Sequence, residues 1–291
     1  MNFGITLPNF GKYADKNEIL KIAASAEELG FESLWVSDHV VIPDSHQGFG
    51  DVFYDPLITL TYVAANTRNI SLGTSVIILP YRNPVVLAKM ISTLDMLSEG
   101  RVILGVGAGW MQEEFEALGI PFNQRGEITD EYLAILKVLW TEDNPRFKGK
   151  YLEFSDIRFL PKPYKTPYPP IWVGGGSNKA IERAVTYGEG WHSVGLTPEK
   201  LKEKLKYVQE LLEKHNKDNF VISLRKNLEI NTDKDISDED TLRGPIEKIV
   251  EGIKQYKELG VNHLVLHFLS GTSEGVLRTM RTFSKEIRPL I

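Results

Sequence analysis

The 291-residue chain contains no cysteine. Disulfides, thiolate metal sites and cysteine nucleophiles are excluded together. No apolar run approaches the roughly 20 residues a helix needs to cross a bilayer, so no membrane span is expected. Positive charge is not in excess: 34 Lys and Arg stand against 39 Asp and Glu, a formal net charge of -5. Nucleic-acid and anionic-membrane partners ordinarily meet a basic face, so neither is expected. The opening MNFGITLPNFGKY lacks a basic start followed by a long apolar stretch. No signal peptide is therefore expected, and cytoplasmic is the default location. The HExxH and HxH patterns of metal sites are missing, as is the G-x-S-x-G turn of serine hydrolases. His39, Asp44 and His46, or His263 and His267, make no recognisable ligand spacing, so no metal is expected.

What the chain does have is an ordinary share of apolar residues, 42%, enough for a core of normal size. These residues fall in short runs: FGITLP, SLWVS, ISLGTSVIILP, RVILGVG, IWVGG, GWHSVG, FVISLRKNLEI and HLVLHFL. Helical stripes lie between them. Ile19, Ile22, Ala23, Ala26 and Leu29 share one face, and Gly30 marks its end. Pro84 opens a very apolar helix running to Leu97, and a further helix is expected over 127–140. Strands alternating with amphipathic helices imply parallel pairing. Eight such units in one chain of this length predict a single α/β domain over 1–291. Its expected fold is a (β/α)8 TIM barrel with insertions after strands 2, 4 and 7. A doubly wound sheet is the competing topology. The stretch NTDKDISDED, 231–240, has almost no apolar content and is expected as an exposed loop.

In a barrel the chemistry gathers where strands end. Asp38 and His39 follow SLWVS, and His39 can act as an acid or base near neutral pH. The plainer reading is a capping aspartate and a structural histidine. Successive strand residues point to opposite faces, so the two side chains need not touch. Other strand-end residues are Asn9, Phe10, Ser75, Val76, Gly107, His192 and His267. In VGGGSNKAIERA, Gly174, Gly175, Gly176 and Ser177 lead from a strand into a helix. Backbone N–H groups there can face a phosphate, or the turn is only a tight connection with a Ser cap. In LGVGAGW the glycines alternate, which is not GxGxxG, and Gly105 is read as a close backbone approach to a ligand. The apolar helices near 55–68 and 84–97 are read as a subunit face, or as helices buried under an insertion.

In chain order, SLWVSDHVVIP, the long stretch from LGTSVIILPYRNP to FNQRG, PPIWVGGGS and LGVNHLVLH resemble the bacterial luciferase-like monooxygenase superfamily. The likeness is strongest to its coenzyme F420-dependent oxidoreductase branch. It implies a barrel, commonly a homodimer, with a deazaflavin or FMN in its mouth. It also implies a non-proline cis peptide at Ser75–Val76 and ring contacts from Asp38, Ser75, Val76, Ile78 and Gly107. The glycines 174–176 with Ser177 would hold the cofactor phosphate, and His39 would stand near the reacting carbon. Two features of the deazaflavin-linked alcohol and sugar dehydrogenases are absent. Ile42 and Pro43 occupy the neighbourhood of their tryptophan, and Trp110 stands where they carry a glutamate. Trp110, Phe49, Phe53 and Tyr54 instead suit a larger or flatter apolar substrate, or pack structurally as loop aromatics do. The expected activity is hydride transfer between F420 and a small organic substrate. An FMN monooxygenase using reduced flavin and O2, and a non-catalytic flavin-binding protein, are the rival readings.

Overall fold

The computed structural model describes residues 1–50, 52–230 and 239–291, without the side chains of Gln47 and Phe49. The aromatic role expected of Phe49, and residues 231–238 of the expected charged loop, lie outside what is described. In chain order the main elements begin with β1 (Asn2–Thr6), α1 (Lys16–Glu28), β2 (Ser33–Val36) and α2 (Pro56–Ala64). Next come β3 (Ser71–Thr74), β4 (Ile77–Ile78), α3 (Pro84–Leu97) and β5 (Val102–Gly107). The long interval that follows holds α4 (Gln112–Ala117), α5 (Arg125–Thr141), β6 (Phe147–Lys148) and β7 (Glu153–Phe154). The remainder comprises β8 (Ile171–Gly174), α6 (Asn178–Tyr187), β9 (Gly190–Val194), α7 (Pro198–Lys214) and β10 (Val221–Ile230). It closes with β11 (Thr241–Gly244), α8 (Ile246–Glu258), β12 (His263–Phe268) and α9 (Ser273–Thr282). Each strand predicted from an apolar run is present. Among the described residues, the departures are small: the third run is split in two, and β11 was not expected.

The chain forms two compact units, one of residues 1–8, 15–35 and 172–291, the other of residues 9–14 and 36–171. In the first unit all strand pairs are parallel. β1 lies between β2 and β12, β10 between β12 and β9, and β8 pairs with β9. β10 is long because it serves two partners in succession. Its start pairs with β9 and its end, from Asn227, pairs with β11. The core of this unit is aromatic. Trp35 stacks on His192 at 4.9 Å and on Trp172 at 5.3 Å. Gly4 makes room for it, since a Cβ there would lie 2.5 Å from the indole Nε1. Beside these rings the polar atoms form a short chain: Trp35 Nε1 donates to Ser33 Oγ at 2.7 Å, and Ser33 Oγ meets His263 Nε2 at 2.7 Å.

In the second unit, β3 and then β4 pair with β5 in parallel. The register runs Gly73 to Ile103 and resumes Ile77 to Val106, so four steps on one side face three on the other. The extra residue is a bulge at the Ser75–Val76 peptide, which is cis. This bulge is why the third run is not one strand. The helices start where local caps dictate. Asp55 Oδ1 accepts the Leu57 and Ile58 amides at the head of α2, and Asn83 Oδ1 accepts those of Val85 and Val86 at the head of α3. Trp140 on α5 lies over α3 and donates to the Ala88 carbonyl at 3.1 Å. One face of α3 is thus covered by the insertion after β5. On its outer side Val86 and Leu97 remain exposed, as does Ile58 on α2. Among the described residues no helix is long and apolar enough to cross a membrane.

Candidate active site

In the second unit, Asp38 and His39 follow β2 after Ser37 and turn to different partners. Asp38 is buried. Arg82 grips its two oxygens at 2.6 and 2.9 Å, and the Ile78 amide donates to Oδ2 at 2.9 Å. Arg82 also reaches Asp55 Oδ2 at 3.0 Å, so one guanidinium ties the end of β2 to the cap of α2. Burial pushes the Asp38 carboxyl above its ordinary pKa, while Arg82 and the Ile78 amide oppose the rise. A carboxylate so occupied acts on its surroundings by holding Ile78 and Arg82 in place.

His39 faces a different carboxylate. Its Nδ1 lies 2.9 Å from Oε2 of Glu114, a residue in the first turn of α4 with no exposed side-chain surface. Tyr81 Oη donates to the same Oε2 at 2.8 Å. The Val40 and Val41 amides donate to Oε1 at 2.5 and 3.2 Å. Burial works to raise the Glu114 pKa, but the bonds from His39, the Val40 amide and Tyr81 outweigh it and hold the carboxyl below the usual range. The Tyr81 phenol is pushed upward by burial and by that carboxylate. Glu114, Tyr81 and Arg82 were not singled out in the sequence. The available signals were an Arg-Asn-Pro just after a strand and a Glu pair opening a helix.

Aromatic side chains edge His39. Phe53 meets its ring edge-on at 5.2 Å, and Trp110 does so at 6.2 Å. Phe10 stacks on Phe53 at 4.9 Å with the rings nearly parallel. Trp110 is 56% exposed, so much of its ring faces solvent. Asn9 is a clamp: its amide exchanges two hydrogen bonds with the Ser37 backbone and donates to the Tyr54 carbonyl.

The bulge residues lie against β5. A Cβ on Gly107 would come within 2.7 Å of a Val76 methyl, so the bare glycine seats the Val76 side chain. Gly105 is also a close approach, but to protein: a Cβ there would sit 1.8 Å from the Thr74 carbonyl oxygen. The expected ligand contact at Gly105 is therefore replaced by a backbone one. Ser75 is buried, and its amide donates to the Val36 carbonyl at 2.7 Å.

The glycine turn belongs to the first unit. Gly174 ends β8, Gly175 has φ +114°, and Gly176 has open space where a Cβ would stand. Ser177 caps α6, its Oγ accepting from the Ala180 amide at 3.2 Å. Trp191 Nε1 donates to the Gly175 carbonyl at 2.7 Å and fixes the turn. In the same unit His192 is buried and His267 half-buried; they are bonded to Ser223 and Thr6 at 2.8 and 2.6 Å. Burial, aided by Arg225, pushes their pKa values down to about 3 and about 4. Both are neutral at physiological pH.

Residues 1–225 match the family described as luciferase-like monooxygenase. The chain is 28% identical to an F420-dependent glucose-6-phosphate dehydrogenase of Amycolatopsis mediterranei, over 94% of this chain and 93% of that protein. It is 29% identical to an FMNH2-dependent dimethylsulfone monooxygenase of Pseudomonas putida, over 64% of this chain and 50% of the other. The crystal structure of the monooxygenase RslO1 from Streptomyces bottropensis superposes with a TM-score of 0.88 at 23% identity, covering 99% of both chains. That likeness gives the fold, a (β/α)8 barrel, in place of the doubly wound alternative. The chain belongs to the luciferase-like monooxygenase family and is an oxidoreductase of that type.

Proposed function

We propose that the protein transfers a hydride between coenzyme F420 and a flat, apolar carbonyl or enone substrate, with His39 giving or taking the accompanying proton. The observation that carries this reading is the setting of His39. It stands at a strand end, backed by a buried carboxylate and edged by Phe53 and Trp110. A positioned imidazole of this kind is the usual proton-transfer group at neutral pH. The aromatic edges favour a planar substrate. Likeness to the F420-dependent dehydrogenase supports the choice of cofactor.

Each unit carries residues suited to one part of such a cofactor. Open space at Gly176, beside the amides at the head of α6, suits a phosphate approaching the backbone. Gly175, Gly176 and Ser177, with Gly174 shaping the turn, would hold that phosphate. The bulge, with Val76 seated over Gly107, presents a shaped apolar surface, and Ser75, Val76 and Ile78 would back the ring system. Asp38 would contribute by fixing the Ile78 amide and Arg82. When bound, the coenzyme supplies a ring carbon that carries hydride. His39 would hold the proton for the substrate oxygen, and Trp110 and Phe53 would orient the substrate plane.

FMN is the alternative cofactor, favoured by the likeness to the FMNH2-dependent monooxygenase. The exposed side chains of Ile58, Val86 and Leu97 support a homodimer formed through α2 and α3. The deciding experiment is a parallel fluorescence titration of wild type and His39→Asn with F420 and with FMN. Each is followed by turnover of a panel of enones and ketones. F420 should bind preferentially to both proteins, and His39→Asn should lose on the order of 100-fold in turnover. Preference for FMN would replace hydride transfer with oxygen-dependent chemistry. Tight binding without turnover would make the protein a cofactor carrier. Binding of neither at micromolar concentration would sink the reading.

A further inference from the structure

We propose that Glu114 is a positioning residue: its carboxylate holds His39 in the tautomer that carries hydrogen on Nδ1, leaving Nε2 as the nitrogen that exchanges a proton with substrate. The inference rests on the reading of His39 as the proton-transfer group, and it adds a residue and a tautomer to it.

The argument is a count of donors and acceptors. An ionised carboxylate only accepts, with about four lone-pair directions on two oxygens. At Glu114 the positions are taken up by donors from three sides. The Val40 and Val41 amides cannot do other than donate, and both address Oε1. Tyr81 Oη and His39 Nδ1 both address Oε2, at 2.8 and 2.9 Å. The side chain has no exposed surface, so water does not dilute these contacts. With a purely accepting partner at 2.9 Å, Nδ1 must carry the hydrogen. The same bond fixes the ring's rotation. Glu114 also pins the backbone at Val40 and Val41, so a plain loop anchor is the competing role.

Glu114→Gln separates the two roles. The amide oxygen can stay with the Val40 and Val41 amides, which keeps the anchor. The NH2 group then replaces Oε2 and donates to Nδ1, which forces hydrogen onto Nε2. The test is the 15N spectrum of histidine-labelled protein without cofactor, with the His39 signals assigned by their loss in His39→Asn. Wild type should show Nδ1 protonated and Nε2 bare in the neutral ring. Glu114→Gln should reverse this, and its turnover should fall about 100-fold with KM little changed. Tyr81→Phe should keep the wild-type tautomer. A wild-type His39 protonated on Nε2, or a Glu114→Gln protein with unchanged tautomer, would overturn the proposal. Should Glu114→Gln fail to fold, the wild-type tautomer decides alone. Because these spectra need no cofactor, failure of the tautomer assignment is distinguishable from failure to bind F420.

Discussion

Arg82 binds Asp38 through two nitrogens, at 2.6 and 2.9 Å, with the carboxylate wholly buried. Paired, the two charges are tolerable; alone, each is not. Arg82→Met should therefore cost about 3–5 kcal/mol of stability by stranding the Asp38 charge. The double variant Asp38→Asn with Arg82→Met should recover a large part of that loss. Urea unfolding of the single and double variants measures the difference. Equal destabilisation in both would mean the pair is not coupled as described.

Two glycines should respond oppositely to alanine. At Gly105 the new methyl would meet the Thr74 carbonyl oxygen at 1.8 Å, and backbone cannot step aside cheaply. Gly105→Ala should cost about 3 kcal/mol or more, or prevent folding. At Gly176 a methyl meets nothing within 4 Å. Gly176→Ala should keep the wild-type melting temperature. Calorimetry on the two variants checks both outcomes.

Acid should destabilise the protein before its carboxylates titrate. Burial holds His192 at about 3, and His263 and His267 at about 4, against an ordinary value of 6.5. Above pH 6.5 these histidines are neutral in both states and stability is at its full value. As pH falls below 6.5, the unfolded chain takes up protons that the folded chain refuses, so stability drops. The loss continues until pH reaches the folded values. Each histidine contributes at most about 1.4 kcal/mol per pH unit in that window. Urea midpoints at pH 7.5, 6 and 5 should fall in that order. Replacing His267 by Gln should reduce the slope.

The apolar outer faces of α2 and α3 predict an effect on assembly. Ile58 is 66% exposed and Leu97 is 69% exposed. If these faces join two copies, Leu97→Glu with Ile58→Glu should halve the sedimenting mass. Unfolding in denaturant should then become independent of protein concentration. An unchanged sedimentation profile would place the subunit contact elsewhere.

The alternation of strands and helices was legible in the sequence because it is local. An apolar run of four to six residues and a stripe at helical spacing carry their own signal, and so do the caps. Asp15, Asp55, Asn83, Ser177, Thr197 and Thr272 each accept an amide within three residues. His39 and Asp38 were legible as strand-end residues for the same reason. Their partners were not. Glu114 lies 75 positions from His39 and Arg82 lies 44 from Asp38. No spacing rule links such pairs, because their meeting depends on where separate strands end in space. The bulge at Ser75–Val76 came from resemblance, whereas the room it needs comes from Gly105 and Gly107 across the pairing. Sequence alone thus determined the element order and the residues offered at strand ends. Tertiary structure decided which partner each of them faces, Glu114 for His39 and Arg82 for Asp38. In a desolvated interior a charge must find its counter-charge or donors, and only the packed fold supplies them.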